Sequence, residues 1–212
     1  MMYHEHLGLL LSARTETLRM TRGLSQEQSE YSPGAGRWSA GEVLHHLLLA
    51  DQVFLDVLRQ LINLAKAGKR AVVSRSLKEV NTSIRFFPKF LLPLVEVPLT
   101  IFNLFLPPFL REALTQFPVV PLDNPDIAQP AKALPIADLR VRLQDSFDRI
   151  EALLDANPNL NYRHMRYRHP LVGDNTALGT LRILAVHELR HHAQIAGILR
   201  SDGFPAAVEQ AA

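Results

Sequence analysis

The segment from Thr180 to Ala196 holds no Pro and no Gly, and its apolar residues recur with a helical period. Within it stand His187 and His191, four residues apart. On a helix that spacing stacks the two imidazoles on one face, about one turn apart. The same face continues through Leu184 and Ile198, so it points into a core. A fold that accepts this segment must turn two imidazoles toward an apolar interior. Core histidines satisfied by hydrogen bonds are one way to do so. A metal ion shared by the pair is the other, and an i, i+4 pair favours it.

The rest of the chain reads as further helices. Residues 4–28 carry a stripe of Leu7, Leu10, Leu11, Arg14, Leu18 and Leu24, which predicts a first helix. Tyr31 to Arg37, with Pro33, Gly34 and Gly36, is a turn. Ser39 followed by Glu42 forms a capping-box pattern that opens a second helix, running to about Lys66. His45 and His46 lie early in that helix, about 100° apart. His46 shares a face with Val43, Ala50, Val53 and Val57, and His45 with Leu48, Gln52 and Leu55. Periodicity does not choose between them. Ile136 to Ala156 predicts a third helix, with Leu139, Val141, Leu143, Phe147, Ile150, Leu153 and Leu154 as its stripe. The fourth starts near Asn175 or Thr176 and ends near Arg200. No stretch carries a strand pattern of any weight. Four amphipathic helices in 212 residues argue for an all-α fold, a four-helix bundle in one domain, 1–212.

Residues 69–135 interrupt this pattern as an insertion between the second and third helices. Phe86 to Leu110 is apolar apart from Lys89 and Glu96, and long enough to span a bilayer. Pro88, Pro93, Pro98, Pro107 and Pro108 break it too often for a continuous spanning helix. It is expected to be short pieces packed as extra core, a lid, a pocket wall or a subunit interface, with no transmembrane span. The N-terminus lacks a signal-peptide pattern, and a cytoplasmic location is expected. The chain has no cysteine, which removes disulfides, thiolate ligands and a Cys nucleophile. Net charge is +2, and the densest basic run, Arg163 to His169, reads as a solvated loop, so no nucleic-acid partner is expected.

If the second and fourth helices lie side by side, one histidine of the second joins His187 and His191. Three imidazoles with an open position suit zinc or nickel, then iron or manganese. His187-Glu188-Leu189-Arg190-His191 also matches the HExxH pattern of zinc proteases. A protease needs a third ligand downstream, where Glu209 is the one acidic candidate, and an edge strand for peptide; neither is well supplied. His45 and His192 adjoin these positions as relay candidates or as ordinary hydrogen-bonded imidazoles.

Three features together resemble the DinB/YfiT-like superfamily. Trp38-Ser39 opens the second helix, with His46-Leu47 eight residues after the Trp. The last loop reads His169-Pro170-Leu171-Val172-Gly173. The last helix reads His187-Glu188-x-x-His191-x-x-Gln194-Ile195. The resemblance implies an up-down-down-up four-helix bundle, often dimeric, and a divalent ion on three histidines. It selects His46 over His45, so the implied ligands are His46, His187 and His191. It implies a thiol-dependent S-transferase using a low-molecular-weight thiol, or a hydrolase, with a metal-bound thiolate or water as the reactive group. The substrate would be a small molecule, with an apolar part if the insertion lines its pocket. The competing reading is a binding or scaffold protein with a structural or vestigial metal site. The long insertion departs from the short connection usual in the family.

Overall fold

The computed structural model describes residues 3–75, 129–169 and 173–206. The apolar stretch Phe86–Leu110, and Pro170 to Val172 of the last loop, lie outside the described residues. Five helices and three strands are present among the described residues. In chain order they are α1 (His4–Thr21), α2 (Gln26–Glu30), α3 (Ala40–Lys66), β1 (Val72–Ser74), α4 (Ile136–Asp155), β2 (Arg166–His169), β3 (Gly173–Thr176) and α5 (Ala177–Leu199).

Local chemistry sets most of the boundaries. Ser39 Oγ accepts from the Glu42 N–H at 3.2 Å while the Glu42 carboxylate accepts from the Ser39 N–H at 2.8 Å. This reciprocal box fixes where α3 begins, just beside His46. Thr176 caps α5 by accepting from the Gly179 N–H at 2.9 Å. The expected first helix over 4–28 is two helices. The chain leaves α1 at Arg22–Gly23 and restarts at Ser25, which caps α2 in a box with Gln28. Two stripe expectations also fail: Leu11 is exposed at the edge of the buried face of α1, and Val141 is exposed because it points away from the face of α4 that buries Leu139, Leu143 and Ile150.

The expectation of no strands is corrected. β1 runs parallel to β2 with Val73 opposite Tyr167, and β2 runs antiparallel to β3 with Tyr167 opposite Asn175. The basic run is thus part of a hairpin rather than a loop. Arg166 and Arg168 both reach Asp174 of β3, at 3.0 and 3.5 Å. Val73 and Tyr167 turn inward and close one end of the core.

The four long helices share two apolar clusters. One contains Leu7, Leu10, Leu58, Leu61, Ile150, Leu154, Leu181 and Ala185; the other Leu44, Leu47, Leu48, Leu139, Leu143, Ile195 and Ile198. Between them each helix places polar residues: Arg14 and Thr17 on α1, Asp51 on α3, Ser146 on α4 and Glu188 on α5, all buried. Among the described residues no helix is long and apolar enough to cross a membrane.

Candidate metal centre

The capping box starts α3 so that His46, in its second turn, faces α5. There it meets His187 and His191. His46 Nε2 lies 3.2 Å from His187 Nε2, and His191 Nε2 lies 3.1 Å from the same atom. One donor atom from each residue falls within 4.8 Å of the others. His46 and His191 are buried and His187 is half-buried. A tetrahedral ion with bonds of about 2.0–2.1 Å sets its ligand nitrogens roughly 3.3–3.4 Å apart. The two observed separations are a few tenths of an ångström inside that value.

The donor chemistry fits a cation as well. His191 Nδ1 lies 2.8 Å from Gln194 Oε1. With the amide oxygen accepting, Nδ1 carries the proton and Nε2 presents its lone pair to the cluster. A single proton on His187 Nε2 serves only one of its two neighbours well. The three converging nitrogens are therefore short of positive charge. Burial, then His46, lowers the His191 pKa to about 3. Burial, then His191, His46 and Arg190, holds His187 well below its ordinary value. At neutral pH both are neutral, the form in which imidazole binds metal.

Trp38 packs over the site, its ring centroid 4.8 Å from that of His46 and 6.4 Å from that of His191, near-parallel to the latter. The histidines line a pocket of about 330 Å³ together with Trp38, Arg37, Arg190 and Gln194. Its rim is the turn Pro33 to Arg37. Gly36 has φ of +72°, a left-handed conformation that glycine adopts at no steric cost.

Residues 9–195 match the model of the DinB superfamily. The chain belongs to the DinB superfamily. That span includes all three converging histidines, the whole of α3 and α5 as far as Ile195. No curated protein and no solved structure gives a match, so what this DinB chain does must be argued from its own residues.

The neighbours in sequence take other roles. His45 Nδ1 accepts from the Ala131 N–H at 2.8 Å, and partial burial, then Arg142, lowers its pKa. It ties α3 to the segment entering α4. His192 Nε2 lies 2.8 Å from Thr17 Oγ1 and 3.1 Å from the Ala13 carbonyl, so it binds α5 to α1. Glu188, the glutamate of the HExxH pattern, turns into the polar layer. Arg14 Nε and Nη2 donate to its two oxygens at 2.9 and 3.1 Å, and Thr17 Oγ1 donates to Oε1 at 2.7 Å. A carboxylate so occupied is not available to activate water, which removes the geometric basis of the protease alternative.

The sequence reading missed this layer. Arg14 Nη2 also donates to Asp51 at 2.8 Å, Nη1 donates to the Leu143 carbonyl, and Ser146 Oγ donates to Asp51. The available signal was Arg14 inside a leucine stripe and Asp51 between Leu47 and Leu55. A charge at a core-facing position requires a buried partner.

Proposed function

We propose that this DinB-superfamily chain is a metal-dependent enzyme whose His46, His187 and His191 hold a divalent ion, zinc or nickel ahead of iron or manganese. The observation that carries it is the convergence of three imidazole rings in a pocket. The reaction class is S-transfer from a low-molecular-weight thiol to a small electrophile, with hydrolysis as the second choice. When bound, a divalent ion supplies Lewis acidity that lowers the pKa of a thiol or water in its open position.

The protein's own groups do the remaining work. Gln194 holds the His191 ring in the tautomer that offers Nε2 inward. Trp38 covers the histidines and limits water around them. The Glu188–Arg14 pair fixes α5 against α1, so His187 and His191 face α3 rather than the bundle axis. In S-transfer the thiol sulfur forms a bond to the electrophilic carbon, the leaving group departs with its electron pair, and the thiol proton passes to solvent.

The reading carries further parts. The four long helices form an up-down-down-up bundle, an arrangement supported by the order in which each meets the two apolar clusters. The chain is one domain, 1–212, carrying the insertion 69–135. Family resemblance adds a homodimer. The test is a turnover screen of metal-loaded protein with glutathione, bacillithiol and mycothiol against a chromogenic electrophile, beside His46→Ala. Thiol-specific turnover lost in the variant is expected. Turnover equal in the two proteins, or none with any thiol, would contradict S-transfer.

A further inference from the structure

Of the α5 residues that line the pocket, His187, His191, Gln194 and Ile198 recur at spacings of four, three and four, which is one helix face. Read along that face, the two clustered imidazoles come first, then a carboxamide, then an apolar side chain. Gln194 stands about 4.5 Å beyond His191 along the helix axis, the rise of three residues.

Only one end of the Gln194 side chain is used. Its Oε1 accepts from His191 Nδ1 at 2.8 Å. A carboxamide is planar, with its acceptor at one end and its two N–H donors at the other. With Oε1 turned to His191, the direction of Nε2 is set as well. No hydrogen-bond partner meets that nitrogen among the described residues. The residue is half-buried and lines the pocket. Arg37 and Arg190 line it too, but both are exposed and carried on long stems. The Gln194 donor is neutral and is anchored through its other end, beside the histidine cluster.

We propose that Gln194 Nε2 donates a hydrogen bond to an amide or ester carbonyl of the thiol substrate, one whose carbonyl carbon is three bonds from the sulfur. A neutral, oriented N–H suits a neutral carbonyl oxygen. With the sulfur at the histidine cluster, three extended bonds span about 4 Å, which matches the step from His191 to Gln194. A cysteinyl amide has this arrangement: sulfur, two carbons, then the carbonyl. The rest of the molecule then runs toward Ile198. This deepens the S-transfer reading and rests on it for the position of the sulfur. It adds which part of the thiol the protein recognises.

The test uses the protein loaded with cobalt, whose visible absorption reports on its ligands. Mercaptopropionamide and butanethiol, equal in chain length, would be titrated against that absorption in the parent and in Gln194→Glu. Glutamate keeps an oxygen for His191 Nδ1 and replaces the N–H donors by an acceptor. A change in the ion's own affinity for sulfur acts on both thiols alike and cancels in their ratio. The variant should still take up cobalt, while the affinity ratio of mercaptopropionamide to butanethiol falls roughly 3- to 10-fold, the loss of one neutral hydrogen bond. In the zinc form of the parent, the Gln194 side-chain amide protons should shift in a proton–nitrogen NMR spectrum with mercaptopropionamide and not with butanethiol. An unchanged ratio, or amide protons that respond alike to both thiols, would overturn the proposal and leave the metal site standing. A parent that takes up no cobalt, or whose cobalt spectrum ignores both thiols, would overturn the underlying reading and this inference with it.

Discussion

Replacing Arg14 by Met keeps most of the side-chain volume and removes one charge from the centre of the polar layer. Arg14 is fully buried, and the Asp51 and Glu188 side chains are 3% and 1% exposed. The guanidinium is the shared partner of both carboxylates and also serves the Leu143 carbonyl. Without it, two anions sit between apolar clusters with, among the described residues, only the Ser146 and Thr17 hydroxyls as side-chain donors. Removing one partner of a buried ion pair costs about 3–5 kcal/mol. For a chain of this length that is a Tm lower by roughly 6–20 °C. The loss has a pH signature. Burial already raises the Asp51 pKa, with Arg14 pulling it back. In the variant the counter-charge is gone, so the folded-state pKa rises further. A group with a raised folded pKa stabilises below its unfolded value, and that stability is lost as pH rises through the folded pKa. The deficit should therefore be largest at neutral pH and shrink as pH falls toward the carboxylate range. Urea unfolding followed by circular dichroism at several pH values measures it. A loss below about 1 kcal/mol, or the same loss at pH 5 and pH 8, would refute the argument that Arg14 balances buried anions.

The other predictions concern the site and its supports. Gln194→Leu removes the acceptor of His191 Nδ1, and zinc affinity by chelator competition should fall about 10- to 100-fold with the fold intact. Glu188→Gln should lower the Tm through the loss of Arg14's partner while metal content stays at the parent level; loss of metal with an unchanged Tm would mean that Glu188 serves the site instead. Ser39→Ala removes the α3 cap, and thermal melting should show a loss of about 1 kcal/mol.

What the sequence made legible depended on how local the signal was. The α3 start was readable because Ser39 and Glu42 are three residues apart, and the α5 start because Thr176 precedes an apolar run. The pairing of His187 with His191 followed from spacing within one helix. The choice of His46 over His45 did not follow from periodicity; it came from the family resemblance, and in the structure it is His46 that clusters with His187 and His191. The polar layer was not legible, because Arg14 meets Asp51 and Glu188 across 37 and 174 residues and a stripe does not name its partner. The small sheet escaped notice for a different reason. Its strands have three or four residues, β3 reads Gly-Asp-Asn-Thr, and β2 reads Arg-Tyr-Arg-His, so pairing rather than propensity makes them strands.

The central claim is that three histidines hold a metal. The most direct measurement is metal content by mass spectrometry on protein purified without an affinity tag, beside the His187→Ala/His191→Ala variant. The expected result is close to one transition-metal ion per chain in the parent and none in the variant. A parent that is empty, and that takes up no added zinc, nickel or manganese, would contradict the account.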